Sequence, residues 1–313
     1  MLQTEKRVVV VHNPLSTRAA KIQAGVFNQL DAAGVHYEPF LTKYPDTEAN
    51  IDDMRNTFQD GDIILSAGGD GTAMQISNAV LREGHTNTLI GPLGYGNFRD
   101  LGKEQNPLQL LDSSAHVVDA HPMTIETNGR YLRDAPGYMT LGFTAMAASR
   151  FGASASRERM RNLPEWTKLA ASIGQLGMDY FELRDRLLPA FHTSQSPLVQ
   201  NAVTDILAIN SRQVGRIIRS STDYPAGSTF GFRTNNVSSI MPNIPFGLRA
   251  LAGRAPAHPT NHLTVYFEQP SVVPFQTEGE YDELHDVTEL FVYKDPAKVL
   301  HLLRPGTSRR QEK

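Results

Sequence analysis

The chain has 313 residues, enough for about two domains, and a formal net charge of −3, which gives no electrostatic footprint for nucleic acid. Its 40% hydrophobic and 20% charged residues are the balance of a globular protein rather than a disordered one. The absence of cysteine removes disulfides, thiolate metal sites and thiol nucleophiles together, and fits a reducing compartment.

The opening MLQTEKRVVVVHNP holds only four consecutive valines, too few for the core of a signal peptide. No apolar run approaches the ~18 residues of a membrane span, so a cytoplasmic protein is expected. Arg7–His12 is short and β-branched and predicts a buried strand. Asn13-Pro14-Leu15-Ser16 is turn chemistry, and Thr17–Ala33 follows with apolar residues near helical spacing until Gly34 stops it. Val35–Leu41 predicts a second strand, Asp46–Phe58 a second helix, Asp62–Ala67 a third strand and Thr72–Arg82 a third helix. Thr88–Ile90 begins a fourth strand, which runs into a second glycine loop, Gly91–Asn97. This alternation predicts an open parallel sheet covered by helices. In such sheets the strand-to-helix loops share the carboxyl edge, where ligands bind. Asn13–Thr17, Gly68–Thr72 and Gly94–Asn97 therefore belong to one rim.

The alternation fails after about Ala120. His121–Glu126, Tyr138–Thr144, Asp205–Asn210, His262–Phe267 and Leu290–Tyr293 read as strands without intervening helices and predict an antiparallel second domain. A helical stretch interrupts it, where Trp166, Leu169, Ala170, Ile173, Leu176 and Tyr180 form a stripe that reads as core packing. Ser238–Pro256 mixes large apolar residues with Arg249 and Arg254, and reads either as core plus loop or as a surface that touches a bilayer.

The most informative stretch is Leu65–Val80, LSAGGDGTAMQISNAV. Glycines between a strand and a helix bring backbone N–H groups to an anion at the helix N-terminus. No Lys-Ser or Lys-Thr follows, so this is not a Walker loop. Met74 stands where the dinucleotide fingerprint has its third glycine. An aspartate among phosphates is favourable when a divalent cation or a hydrogen bond stands between them; alternatively, Asp70 only caps the following helix.

Gly68-Gly69-Asp70-Gly71-Thr72 resembles the signature shared by diacylglycerol kinases, sphingosine kinases and NAD kinases. The chain is most similar to the bacterial diacylglycerol kinase-type lipid kinases. Asn13-Pro14-Leu15-Ser16 resembles their opening Asn-Pro-x-Ser, and Pro92–Asn97 their Pro-Leu-Gly-Thr-Gly-Asn. Tyr138–Ala145, Ile206–Asn210 and Glu278-Gly279-Glu280 resemble later motifs in the same order, and Val287–Leu303 resembles a returning strand and C-terminal helix.

The resemblance implies an α/β N-terminal domain with an open, mostly parallel sheet and a mainly antiparallel β second domain. It implies ATP bound over residues 1–120, a β-rich substrate domain over 121–289 with a helical insertion at about 157–190, and a segment 290–313 returning to the first domain. ATP and Mg²⁺ are the implied cofactors. The implied nucleotide contacts are Asn13, Pro14, Ser16, Thr17, Thr42, Gly68, Gly69, Gly71, Thr72, Gln75, Gly94, Tyr95, Gly96 and Asn97. Asp70 is implied as a catalytic and metal-facing carboxylate, and Glu280 as the general base within an acidic cluster that otherwise reads as a charged turn. A lipid acceptor such as diacylglycerol, peripheral membrane contact and a homodimer are the implied partners, without nucleic acid.

The sequence also departs from the family pattern. Met74 and Gln75 replace an Asn-Glu pair, Tyr95 replaces a threonine, and Phe98 replaces an aspartate. The acidic pair that binds a structural magnesium in some relatives is missing from Tyr224–Phe230, and Glu278 stands for aspartate. These changes keep two alternatives open: an NAD kinase-like enzyme with a soluble substrate, and a nucleotide-binding protein that no longer catalyses.

Overall fold

The computed structural model describes residues 6–14, 16, 18–43, 46–95, 104–152, 178, 181–183, 186–211, 213–214, 218–219, 224, 226–235 and 257–306. The chain divides into two compact units, Met1–Ala120 with Lys298–Lys313, and His121–Ala297. The Trp166 stripe, apart from its flanks, and Ser238–Pro256 lie outside the described residues.

In the first unit, β1 (Val8–His12) leads into a helical stretch made of α1 (Ala19–Ile22), a π turn (Gln23–Phe27) and α2 (Asn28–Ala32). Then come β2 (Glu38–Leu41), α3 (Thr47–Thr57), β3 (Ile63–Ala67), α4 (Asp70–Glu83), β4 (Leu89–Pro92), α5 (Pro107–Leu111) and β5 (His116–Ala120). The alternation of side chains along each strand serves two cores. Val8, Val10, Ile63 and Leu65 pack with Ile22, Val26, Leu30 and Leu110. Val9, Val11 and Ile64 pack with Ile51, Met54, Ile76 and Ala79. The central strands β1 and β3 are thus buried on both faces, which explains why they are apolar runs without alternation, while β2 and most of β5 at the edges are exposed.

The sheet order is β2-β1-β3-β4-β18-β5, where β18 is Leu300–Arg304. Every pair from β2 to β18 is parallel, and β5 closes the edge antiparallel to β18. The chain leaves β1 toward β2 on one side and returns to β3 on the other. The order therefore reverses between β1 and β3.

β18 corrects one expectation. The helix that the resemblance implied within Val287–Leu303 is absent there: β17 runs to Lys294 and Leu300–Arg304 is a strand. Leu300 and Leu302 enter one core and Leu303 the other, a two-residue period that no helix provides. Backbone partners on β4 and β5 satisfy both edges of this segment.

In the second unit the elements are β6 (Met123–Thr127), β7 (Arg130–Ala135), β8 (Tyr138–Gly142), α6 (Phe143–Gly152), β9 (Phe191–Thr193) and β10 (Ser196–Gln200). They continue with β11 (Asp205–Ile209), β12 (Gln213–Val214), β13 (Ile218–Arg219), β14 (Phe230–Asn235), β15 (His258–Thr260), β16 (His262–Thr277) and β17 (Glu280–Lys294). All pairings are antiparallel in the order β15-β14-β11-β8-β16-β17-β6-β7, with β9 attached to β16 and β10 to β9. Register shifts between Tyr266 and Val273 let β16 pair with β9 in its first half and β8 in its last. A large apolar core, including Phe191, Phe230, Phe275 and Leu290, lies on one side of this unit's strands, and a smaller cluster of Tyr138, Leu207, Ile209 and Tyr224 is separate from it.

Candidate functional site

In the first unit the carboxyl ends of four strands lie side by side. His12 pairs with Leu41 and with Ala67, the Thr42 N–H donates to the His12 carbonyl (3.0 Å), and the Leu93 N–H donates to the Ser66 carbonyl (3.1 Å). The loops after β1 and β3 thus flank the point where strand order reverses, which is where open α/β sheets bind ligands.

Each loop has a local cause. After β1, the Asn13 carbonyl accepts the Ser16 N–H at 3.0 Å, the Ser16 carbonyl accepts the Ala19 N–H at 3.1 Å, and the Ser16 hydroxyl accepts the Arg18 N–H at 3.3 Å. Pro14 is exposed at the tip of this turn. His12 is buried against Phe27, ring centroids 5.6 Å apart, and burial pulls its imidazole below the ordinary histidine range, toward the neutral form. Thr42 is buried, and its successor is pinned by Asn50, which accepts the Lys43 N–H and donates to the Lys43 carbonyl, both at 2.7 Å.

At the glycine loop, α4 starts at Asp70 and Gly69 occupies the N-cap position with no side chain to offer. The reading of Asp70 as the cap therefore has its place taken by Gly69; Asp70 lies in the first turn, where a carboxylate suits the helix dipole. Thr72 folds back over Gly68, so that any Cβ at Gly68 would overlap the threonine side chain. The helix is buried from Gly71 to Val80. Its N-terminal N–H groups thus stand on a rigid element.

Gln75 is buried and reaches the Thr47 hydroxyl at 3.5 Å through Nε2, while its Oε1 has no partner among the described residues. Gly94 takes the left-handed conformation, φ 67°, which glycine adopts without strain. Tyr95 turns inward: its ring is buried and its hydroxyl lies against Gly25 in the π turn. What Tyr95 can offer a ligand is its backbone. Thr17, Gly96 and Asn97 lie outside the described residues.

In the second unit, Glu278 and Gly279 form the two-residue turn between β16 and β17, with φ of 51° and 87°. The Glu278 carboxylate is buried and accepts the N–H groups of Gly137 (2.5 Å) and Tyr138 (2.7 Å). The Gly137 carbonyl accepts the Asn210 N–H at 2.6 Å, and the Asn210 amide donates to the carbonyls of Pro136 and His121, each at 2.9 Å. The segments Tyr138–Ala145, Ile206–Asn210 and Glu278–Glu280 therefore meet at Pro136-Gly137. Arg133, also buried, donates to Thr277 (3.4 Å) and Asp282 (3.1 Å) and braces both sides of the turn. Glu280 is half-buried at the start of β17, opposite Thr277.

Sequence reasoning singled out neither Arg133 nor Gly137. A Pro-Gly pair ahead of a strand was the available signal for Gly137; nothing local marks Arg133, because its partners are more than a hundred residues away.

Among the described residues no group of three or more His, Asp or Glu is placed to hold a metal. Among the described residues, Asp70 is the one carboxylate in the loops after β1 and β3 and the first turn of α4; Glu104, in the loop after β4, pairs with Lys21 at 2.8 Å. A single carboxylate fits a magnesium ion that takes its other ligands from phosphates and water.

Comparison with known proteins agrees with this geometry. Residues 7–126 match the family model of the diacylglycerol kinase catalytic domain. A diacylglycerol kinase of Staphylococcus carnosus (strain TM300) is 24% identical over 132 residues, 40% of this chain and 42% of that relative, so the match spans less than half of its length. Two structures from Bacillus anthracis str. Sterne assigned to diacylglycerol kinases share the fold. One has a TM-score of 0.62 at 15% identity, covering 96% of this chain and 98% of that one. The other has 0.57 at 12%, covering 96% and 97%.

Proposed function

We propose, from the match of residues 7–126 to the family model of the diacylglycerol kinase catalytic domain, that the protein is an ATP-dependent lipid kinase acting on a hydroxyl of a lipid such as diacylglycerol. The observation that carries the reading is the placement of Asn13–Ser16 and Gly68–Thr72 on either side of the strand-order reversal between β1 and β3. The loop amides at Gly69–Thr72 and the α4 N-terminus stabilise the phosphates. Asn13, Pro14 and Ser16 would border them, with Gly94 and Tyr95 alongside; the resemblance adds Thr17, Gly96 and Asn97, which lie outside the described residues. Thr42 and Gln75 approach the nucleotide from the α3 side. Asp70 is the residue that would hold a magnesium ion, whose charge would be neutralising for the phosphates.

In the transfer, the acceptor oxygen bonds to the γ-phosphorus as the bond from that phosphorus to the bridging oxygen breaks. ADP leaves, and the acceptor's proton passes to the Glu280 carboxylate. Among the described residues no helix is long and apolar enough to cross a membrane; a bilayer lipid would be met from the surface.

A second reading is favoured by the buried Gln75 amide: nucleotide binding without transfer. The deciding experiment follows label from γ-labelled ATP with diacylglycerol micelles or NAD as acceptor. Labelled lipid supports the proposal, labelled NAD product replaces it with a soluble-substrate kinase, and bound ATP with no transfer supports the second reading.

A further inference from the structure

Lys294 ends β17 with its side chain buried, 9% exposed. Its ammonium donates to the Gly227 carbonyl at 2.7 Å and to the Tyr224 carbonyl in a shorter contact. Those two carbonyls belong to one turn, closed by the Gly227 N–H on the same Tyr224 oxygen at 3.1 Å. Other lysines behave differently: Lys21 and Lys43 are exposed and pair with Glu104 and Asp53. Burying an ammonium is costly unless its donors are satisfied. Here a turn from a distant part of the chain supplies two of the acceptors.

Backbone carbonyls converging on one point are the makings of a cation site. Tyr224–Phe230, YPAGSTF, contains no carboxylate of the kind a divalent ion prefers, whereas an ammonium with three donors suits carbonyl oxygens. We propose that the paired carbonyls of Tyr224 and Gly227 form a cation site occupied by the protein's own Lys294 ammonium, so that this part of the second unit orders without a free metal ion. The site has a structural consequence. Tyr224 packs with Tyr138, Leu207 and Ile209, and the Tyr138 N–H is one of the two that hold Glu278. The tethered cation thereby braces the strand on which the Glu278 turn rests. None of this depends on the kinase reading.

Thermal unfolding of the full chain tests it. The wild type should melt at the same temperature with and without a chelator. Lys294→Met keeps the length of the stem but leaves the carbonyls without their cation, and should lower Tm by about 5 °C or more. Lys294→Ala should fall similarly and recover part of the loss in ethylammonium chloride, but not in tetramethylammonium chloride, which has no N–H, at equal ionic strength. A Lys294→Met protein as stable as wild type would overturn the proposal, as would equal recovery in both salts. If neither variant folds, the wild type decides: chelator sensitivity that magnesium reverses would mean that a free ion holds the turn.

Discussion

Gly137→Ala should destabilise the second unit through a single contact. Gly137 is not among the residues with positive φ, so alanine fits the backbone and the effect is steric. The new Cβ would lie 2.7 and 2.9 Å from the two Glu278 carboxylate oxygens and 3.1 Å from the carboxyl carbon. Ordinary contact is about 3.5 Å, so the carboxylate must withdraw by more than half an ångström. Its hydrogen bonds from Gly137 and Tyr138, now 2.5 and 2.7 Å, would then reach or pass the ~3.2 Å limit of a good bond. Bonds to a charged group contribute about 1.5–3 kcal/mol each. Weakening both should cost about 2–4 kcal/mol, or roughly 5–15 °C in Tm for a unit of this size. Calorimetry reads the shift. A double-mutant cycle with Glu278→Ala separates this contact from general disturbance, because the two losses should be strongly less than additive. A Tm within a degree of wild type, or full additivity, would refute the clamp.

The remaining expectations concern the site and its titration. Asp70→Asn should sharply reduce phosphoryl transfer and flatten the response to added Mg²⁺; near-normal activity would mean that the position needs only a polar first-turn residue. Glu280→Gln should lower turnover by ~10² to 10⁴ with ATP affinity nearly unchanged, whereas Glu278→Gln should act mainly on Tm; equal kinetic effects would remove the base assignment. Asp205 is buried, which pushes its carboxyl from 3.8 up to about 7, although it accepts the Thr144 N–H. Because the folded state holds this proton more tightly than the unfolded chain, the group's contribution to stability is greatest below about pH 4 and declines until about pH 7. Asp205→Asn removes that dependence, so its Tm advantage over wild type should grow across this window; a constant difference would contradict the shift.

The first unit was largely legible because its signals are local. β1 and β3 are short runs rich in Val and Ile, α3 and α4 carry apolar stripes, and Gly34, Gly61 and Gly84 take the left-handed conformation that favours glycine at the turns that follow helices. What sequence did not disclose was non-local. Leu300–Arg304 inserts between β4 and β5, and nothing within five residues says that a parallel partner is waiting. The π turn at Gln23–Phe27 brings Gly25 against Tyr95, a contact seventy residues distant in the chain.

Among candidate residues, those on the glycine rim could be named from the loop pattern, since backbone amides at a helix start need only glycine and position. In Glu278-Gly279-Glu280 the local pattern does not separate the two glutamates, and only the family resemblance singles out Glu280. Burial separates them: the first is committed to the Gly137 and Tyr138 N–H groups, and the second stands half-open at the strand start.

The account stands most directly on nucleotide binding at the glycine rim, and calorimetric titration of ATP into wild type and Gly71→Val measures it. Gly71 is buried in the first turn of α4, where a branched side chain would fill the space that phosphates need. The account predicts ATP binding in wild type and its loss in Gly71→Val, with the circular dichroism spectrum retained. Unchanged ATP affinity in a folded Gly71→Val protein would contradict it.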